Sequence, residues 1–292
     1  MNSYKKMIFI DLDGTLLNSR SAVSKTNKKI IKKLIALNYA VIIATGRNYH
    51  EAAKLTKDIE GLAYITTNGS HIVDFDQSEI FNKPLNKKIL ISVINNLEQY
   101  QNLIYYITSP DEIIAKNKYK IFKNILFMEG FGKLFSLDGI IRLINNYKLI
   151  SVTEKDDIIN FLDQREMKVQ KIYVMGREEE LKKAKKNICQ NFNGRIKVAT
   201  SGNHNLEINA AEISKGHALK FLSKKWGIPL EETIAFGDGN NDLELLETAG
   251  TAVAMENTDS KELLKRADLI APNNDHDGVA KMLIKLIPED LL

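Results

Sequence analysis

The sequence predicts an α/β protein whose doubly wound parallel sheet is interrupted by an inserted α+β domain. Short apolar runs alternate with helical periods over the first 75 residues. The same alternation returns near the end of the chain, whereas the region between the two has a different texture. Strands that alternate with helices favour right-handed crossovers, and such crossovers produce a parallel sheet.

The first alternating region contains three predicted strands and two predicted helices. Each strand is a short apolar run, and the first helix is marked by apolar residues at helical spacing. The strands are Met7–Ile10, Ala40–Ala44 and Leu62–Thr66, and the helices cover the stripe Ile30–Leu37 and the segment Glu51–Ile59.

The last region repeats the pattern with four helices and three strands, so both ends of the chain are expected to build one sheet. The predicted helices are Gly216–Trp226, Asp242–Thr248, Lys261–Arg266 and Gly278–Ile287, and the predicted strands are Thr233–Phe236, Thr251–Met255 and Leu269–Ala271.

The middle of the chain begins after a hairpin predicted around Phe75–Ser78. Pro84 then marks a boundary, because proline cannot donate to a strand ladder. We expect residues 1–83 and 210–292 to form one α/β core and residues 84–209 to form the inserted α+β domain. The elements predicted there are the helices Ile89–Leu97 and Glu178–Asn191 and the strands Leu103–Ile107, Ile113–Ala115, Lys171–Met175, Ile196–Thr200 and Leu206–Ile208.

Composition is that of a globular protein, with 44% hydrophobic and 27% charged residues. No apolar run approaches the roughly 18–20 residues of a membrane-spanning helix, and the first run is too short for a signal peptide. The single cysteine, Cys189, excludes an intrachain disulfide, which favours the cytoplasm. Cys189 falls on a helix-like pattern with Leu181, Ala184 and Ile188, so we expect it to be a small buried residue rather than a nucleophile.

The net charge of +4 is unevenly distributed. Residues 84–209 carry 20 Lys and Arg against 14 Asp and Glu, whereas the remainder carries 21 against 23. Solvated helix faces explain much of the basic middle, and such charge also attracts anionic substrates. No arginine-rich tract or nucleic-acid module accompanies it, so we expect no nucleic-acid partner. No membrane partner is expected either, since no apolar run is long enough to span one. A monomer or a weak homo-oligomer is expected.

Four polar clusters lie at or near the ends of predicted strands or the start of a predicted helix. They are Asp11 with Asp13, Thr45–Arg47, Lys215, and Gly237–Asp242. Open parallel sheets bind ligands beyond the carboxyl ends of their strands, so all four clusters can converge on one crevice. Taken singly, the segment of Asp11 and Asp13 and the Thr45–Arg47 cluster are as well explained as turns with a cap, and Lys215 alone indicates almost nothing. Gly237–Asp242 is a stronger signal, although a helix cap at Asn241 or Asp242 would also explain it. Their order and shared location favour one functional site.

Convergence would pack several carboxylates together, and close carboxylates resist ionisation unless a cation holds them. Ligands that are all oxygen suit Mg²⁺, which we predict as the cofactor. The five histidines show no paired spacing that would indicate zinc.

The remaining polar groups suit a phosphoryl group. Lys215, the Thr45 hydroxyl and backbone amides around Leu12 and Gly46 could hold its outer oxygens. Asp11 could then attack phosphorus and form an aspartyl-phosphate. Asp13, two residues further on, could protonate the leaving oxygen and later deprotonate the attacking water.

These residues resemble the haloacid dehalogenase (HAD) superfamily, and within it the Cof-type phosphatases with a type IIB cap. The resemblance covers nearly the whole chain and implies a Rossmann-like HAD core with an inserted cap domain. It is carried by Asp11–Thr15, Thr45, Thr67–Gly69, Ile213–Gly216, Gly237–Asp242, Ala252–Met255, Asn274–Asp275 and Asp277–Ala280. Glu256 departs from the family pattern, which usually has Gly there.

The resemblance implies a role for each matched residue. Asp11 would be the nucleophile, and Asp13 the acid/base that also binds Mg²⁺ through its backbone carbonyl. Asp238 would be a direct metal ligand. The predicted site residues are thus Asp11 and Asp13 for catalysis; Leu12, Thr45, Gly46, Lys215 and Asn241 for substrate phosphate; and Asp11, Asp13, Asp238 and Asp242 for the metal.

The predicted function is Mg²⁺-dependent hydrolysis of a small phosphorylated metabolite, such as a sugar phosphate or a phosphorylated cofactor. Two alternatives remain open. A phosphomutase would form the same aspartyl-phosphate, and a regulator without catalytic activity would bind the same metabolite. The presence of all four principal polar residues, Asp11, Asp13, Lys215 and Asp238, favours catalysis.

Overall fold

The computed structural model describes residues 4–110, 112–128, 152–200 and 204–287. The chain forms two compact units. The first consists of residues 1–81 and 214–292, and the second of residues 82–213.

Fourteen strands occur in the described residues, eight in the first unit and six, β6–β11, spread through the second. They are β1 (Met7–Ile10), β2 (Ala40–Ala44), β3 (Ala63–Thr66), β4 (His71–Val73), β5 (Glu79–Asn82), β6 (Ile104–Thr108), β7 (Ile113–Ala115), β8 (Val152–Glu154), β9 (Lys171–Met175), β10 (Ile196–Ala199), β11 (Asn205–Ala210), β12 (Thr233–Gly237), β13 (Thr251–Met255) and β14 (Leu269–Ala271).

Ten α-helices occur in the same ranges. They are α1 (Lys25–Ala36), α2 (Tyr49–Leu55), α3 (Lys87–Leu97), α4 (Lys118–Met128), α5 (Ile158–Asp163), α6 (Glu178–Asn191), α7 (Lys215–Trp226), α8 (Leu243–Thr248), α9 (Lys261–Arg266) and α10 (Gly278–Leu286). None of these described helices is long and apolar enough to cross a membrane.

The sheet of the first unit has the order β14-β13-β12-β1-β2-β3-β4-β5. The pairs from β14 to β3 are parallel, and β4 pairs with β3 in the antiparallel direction. From β1 the chain builds outward through β2 and β3, and it later returns to build outward through β12 and β13 on the other side. The order therefore reverses between β1 and β12, and such a switch point opens a crevice at the strand ends.

Strand β1 shows why this sheet has a core on each face. Its four residues are fully buried. Ile8 and Ile10 belong to one apolar cluster, which includes residues of α1 and α10. Met7 and Phe9 belong to another, which includes residues of α7 and α8. A strand covered on both faces needs a continuous apolar run, so the α/β prediction of a doubly wound parallel sheet is confirmed.

The second unit has a six-stranded sheet with the order β10-β11-β9-β6-β7-β8. Its pairs are antiparallel except for β7 with β8, which is the expected α+β arrangement. Lys171 on β9 and Glu207 on β11 form a buried ion pair, with 2.9 Å between Nζ and Oε2.

Several predicted boundaries and one predicted environment differ from the structure. The helix expected at Glu51–Ile59 begins earlier, at Tyr49, because Asn48 and Glu51 form a capping box. The prediction that Cys189 is buried is wrong, since its side chain is exposed. It follows the buried Ile188 by one residue, which turns it about 100° around the helix from that apolar stripe.

Candidate active site

Asp11 follows β1 at the switch point of the parallel sheet. Its backbone N–H donates to the Phe236 carbonyl at 3.1 Å, which continues the pairing with β12 by one residue. Its carbonyl accepts the N–H of Leu16 at 3.1 Å, so the chain turns back directly after the strand. Asp11 is 5% exposed, and a carboxylate this deeply buried requires partners.

Lys215 supplies one of those partners. It is the first residue of α7, whose N-cap Ser214 accepts the N–H of His217 at 3.0 Å. Its Nζ lies 2.6 Å from Asp11 Oδ1 and 2.6 Å from Asp242 Oδ1, and the residue is fully buried. Burial acts to lower the pKa of Lys215, but the charges of Asp11 and Asp242 outweigh it and raise that pKa above its ordinary value.

Asp242 is held on both oxygens. Oδ1 accepts the Lys215 ammonium, whereas Oδ2 accepts the backbone N–H groups of Asp238 and Gly239 at 3.1 and 3.0 Å. Asp242 therefore fixes the turn that follows β12 and links it to Lys215.

Asp238 comes directly after β12. Its Oδ1 accepts the Thr15 hydroxyl at 2.9 Å, which ties this turn to the loop after β1. Gly14 lies so close to this carboxylate that an added Cβ would be 2.1 Å from Asp238 Oδ2. Gly14 also has a φ of +79°, in the left-handed region that favours glycine.

Three carboxylates meet at this point of the described structure. Asp11, Asp238 and Asp242 each offer an oxygen, and these atoms lie within 4.8 Å of one another. The donor set is all oxygen, which suits Mg²⁺, the metal that the fold family implies. The residues present fit that ion.

Electrostatics supports the same fit. Burial raises the pKa of Asp11 well above its ordinary value; Lys215 opposes this rise, and the nearby carboxylates add to it. Burial likewise raises the pKa of Asp238 to about 7, with Asp242 adding to the rise. A divalent cation would stabilise the ionised forms of these carboxylates and so lower their raised pKa values.

Asp13 occupies a different environment from these three residues. Its side chain is 47% exposed, and the guanidinium of Arg47 donates one hydrogen bond to each of its carboxylate oxygens. Nε lies 2.6 Å from Oδ2, and Nη2 lies 2.6 Å from Oδ1. The sequence identified Arg47 only as part of a weak Thr-Gly-Arg pattern, so this bidentate pair is a new feature of the site.

The predicted phosphate-binding residues also lie around the strand ends. Leu12 is buried beside Asp11, and Thr45 follows β2 with its hydroxyl accepting the N–H of Arg47 at 3.1 Å. The Thr45 carbonyl accepts the N–H of Asn68, in the turn after β3. Asn68 Oδ1 in turn accepts the Asn241 amide at 3.4 Å.

The turn after β3 brings Asn68 into this group with an unusual backbone. Thr67 and Asn68 have φ values of +47° and +60°. Such values are uncommon for a β-branched residue such as Thr67 and mark a turn that its surroundings hold in place. The sequence pointed to this turn only through the family resemblance.

Comparison with known proteins identifies the family of this fold. Residues 8–283 match the model of the haloacid dehalogenase-like hydrolase family. The chain belongs to that family.

Two curated relatives come from Bacillus subtilis strain 168. The phosphatase YwpJ is 27% identical, covering 97% of this chain and 100% of the relative. The 5-amino-6-(5-phospho-D-ribitylamino)uracil phosphatase YwtE is 27% identical, covering 97% and 98%. A solved haloacid dehalogenase-like hydrolase from the same species has a TM-score of 0.87 at 27% identity, covering 97% and 100%. The predicted family and enzyme class, a HAD-like phosphatase, are confirmed.

Proposed function

We propose that this chain hydrolyses a small phosphorylated metabolite with Mg²⁺, through an aspartyl-phosphate on Asp11. One observation carries the proposal. A buried carboxylate at the end of the central strand lies 2.6 Å from a buried ammonium and within 4.8 Å of two further carboxylates. This arrangement offers a nucleophile, a cation site and a phosphate-binding charge at one place.

Asp11 and Asp13 divide the covalent chemistry between them in this proposal. An oxygen of Asp11 attacks phosphorus while the bond between phosphorus and the leaving oxygen breaks. Asp13 gives its proton to the leaving oxygen, so the departing group is a neutral alcohol. Water then attacks the phosphorus of the aspartyl-phosphate and loses its proton to Asp13, which releases phosphate and restores Asp11.

Exposure and charge suit each residue to its role. Asp11 is buried, so its attack occurs away from bulk water. Asp13 is half-exposed, which suits a group that exchanges protons with a leaving group and with water. Arg47 fixes the orientation of the Asp13 carboxyl through two hydrogen bonds.

The phosphoryl oxygens would be held by the remaining polar groups of the site. We assign Lys215, Thr45 and Asn241 to this role, together with the backbone amides around Leu12 and Gly46. Asp11 and Asp238 would hold Mg²⁺ through their side chains and Asp13 through its backbone carbonyl, with Asp242 supporting the site. When bound, Mg²⁺ supplies positive charge that offsets the charge of the phosphoryl group.

The two units would have separate tasks. We assign the chemistry to the first unit, since all of these residues belong to it. We assign recognition of the leaving group to the second unit, residues 82–213, as a type IIB cap. The substrate class remains a small phosphomonoester, such as a sugar phosphate or a phosphorylated cofactor. The named substrate of YwtE is one candidate within that class.

The proposal is tested by a screen of phosphorylated metabolites with Mg²⁺, comparing kcat/KM and including the phosphoribitylaminouracil compound. Asp11→Asn should abolish hydrolysis of a generic aryl phosphate while the protein stays folded by circular dichroism, because Lys215 keeps Asp242 as a partner. Wild-type turnover by that variant would exclude Asp11 as nucleophile, and full activity after exhaustive chelation would exclude the metal. Conversion of a sugar phosphate to its isomer would indicate a phosphomutase, and tight binding without turnover a regulator.

A further inference from the structure

The loop after β13 connects the two segments that carry the acidic residues of the site. Asn257 Nδ2 donates to the Gly14 carbonyl at 2.7 Å, across 243 residues of sequence. The hydroxyl of the next residue, Thr258, donates to the Asp238 carbonyl at 2.6 Å. Two adjacent side chains thus bind one backbone carbonyl in the loop after β1, residues 11–17 (the nucleophile loop), and one at Asp238 in the turn after β12.

The loop that carries these two residues is itself fixed to the sheet. The N–H of Glu256 donates to the Ala271 carbonyl at 2.9 Å, at the end of β14. The N–H of Thr258 donates to the Met255 carbonyl at 3.1 Å, at the end of β13. The backbone on both sides of Asn257 is therefore fixed to the sheet, so Asn257 cannot easily follow the nucleophile loop if that loop moves.

Asn257 has a second partner on its other side. Its Oδ1 accepts the backbone N–H of Asn274 at 3.1 Å. The side-chain Nδ2 of Asn274 in turn donates to the Leu17 carbonyl at 2.7 Å. The nucleophile loop is thus held at two points, directly at Gly14 and through Asn274 at Leu17. The two functional groups of the Asn257 amide consequently do different things, and a substitution can separate them.

The position of Gly14 matters because of its close approach to Asp238. An added Cβ at Gly14 would meet the Asp238 carboxylate, and the adjacent Thr15 donates to the same carboxylate at 2.9 Å. A shift of the Gly14 backbone would therefore change both the packing and the hydrogen bonding of Asp238. Hydrogen-bond partners of this kind orient metal ligands, and their loss costs about 10–100-fold in metal affinity.

We propose that Asn257 is a positioning residue. Through its hydrogen bond to the Gly14 carbonyl, it sets the distance between the nucleophile loop and Asp238. This inference rests on the proposed function, since the carboxylates that it positions are those assigned to Mg²⁺. Loss of the donor would weaken Mg²⁺ binding more than it changes the KM for substrate.

The experiment compares Asn257→Ala and Asn257→Asp with the wild-type protein, using calorimetric titration with Mg²⁺ alone and then KM and kcat on an aryl phosphate. The aspartate keeps the acceptor for Asn274 but loses the donor to Gly14 and opposes that carbonyl with a second acceptor. We expect both variants to lose about tenfold or more in Mg²⁺ affinity.

Asn273→Ala is the matched control. It removes a side-chain hydrogen bond to Asp275 in the neighbouring loop and touches neither Gly14 nor Asp238. We expect it to retain wild-type Mg²⁺ affinity. If Asn257→Asp binds Mg²⁺ like the wild type, then Asn257 only anchors Asn274 and the inference fails. If the wild-type protein binds no Mg²⁺ or cleaves no phosphomonoester, the proposed function fails, and the inference about Asn257 fails as well.

Discussion

Lys215 and Asp11 form a buried ion pair, with 2.6 Å between Nζ and Oδ1, although the two residues are 204 positions apart in the sequence. The same ammonium contacts Asp242, so a single positive charge serves two carboxylates. Buried charges are costly unless they are paired, and here the pairing also presents the nucleophile at the end of the central strand. The predictions below follow from this charge balance and from the groups around it.

Replacement of the lysine should affect stability as well as activity. Lys215→Met would leave two buried carboxylates without their counter-charge, and breaking a buried pair costs about 3–5 kcal/mol. We expect a large drop in the free energy of unfolding near neutral pH, measured with urea. The loss should be smaller in acid, where the carboxylates can take up protons. An equal loss at both pH values would contradict this explanation.

Mg²⁺ should stabilise the protein more at higher pH. Burial raises the pKa of Asp238 from 3.8 to about 7, so in the metal-free protein its contribution to stability is present below about pH 4 and is lost as the pH rises through 7. Mg²⁺ binds the ionised form. The shift in melting temperature on adding Mg²⁺ should therefore grow between about pH 6 and pH 8. Asp238→Asn should flatten this dependence.

Gly14→Ala should damage the site through steric conflict. Its Cβ would meet the Asp238 carboxylate, and the residue already has a positive φ. We expect a fall of at least about tenfold in kcat/KM, which corresponds to 1.4 kcal/mol.

The matched control is Gly227→Ala. Gly227 also has a positive φ, at the end of α7, but an added Cβ there meets nothing within 4 Å. The substitution should cost about 1–2 kcal/mol of stability, because a residue with a Cβ is strained in the left-handed region, and should leave kcat/KM unchanged. Comparable activity losses in the two variants would show that backbone strain, rather than the collision with Asp238, is responsible.

Asp13→Asn should affect substrates according to their leaving groups. A nitrophenolate needs no proton to depart, so phosphorylation of Asp11 should remain fast, whereas the water step lacks its base. Stopped-flow kinetics should then show a burst of nitrophenol followed by slow turnover. Alkyl phosphates should show no burst, because their first step also slows. A burst of equal size with both substrates would argue against Asp13 as the acid.

Cys189 should react freely with thiol reagents. It is exposed, on a helix of the second unit, and is the single cysteine of the chain. We expect one equivalent of thiol to be titrated in the folded protein, with no loss of phosphatase activity. A slow reaction that requires denaturant would contradict the exposure of this side chain.

The sequence predicts much of the first unit because its signals are local. Ala40–Ala44 and Thr251–Met255 match their predicted bounds, since strands buried on both faces are continuous apolar runs. The sequence does not predict helix α4, because the mixture of lysines and aromatic residues at these positions shows no clear apolar stripe. The start of α2 depends on a capping box, which periodicity does not detect.

The sequence predicts which residues come together at the site where those residues directly follow strands. It does not predict the hydrogen bonds between side chains and groups that are far apart in the sequence. Asp11 and Asp238 come directly after β1 and β12, so topology alone brings them together. The bonds from Arg47 to Asp13 and from Asn257 to Gly14 join residues 34 and 243 positions apart. Such contacts leave no period or spacing in a single sequence, because they depend on the completed fold.

The place of β1 in the sheet has a consequence for the newly made chain. Its partner on one side, β2, is synthesised soon afterwards, whereas its partner on the other side, β12, begins only at Thr233. At about 5–20 residues per second, one edge of β1 stays unpaired for roughly 10–45 seconds. An open edge with four apolar residues can template the wrong partner, so the nascent chain is expected to depend on chaperones more than its finished stability would suggest.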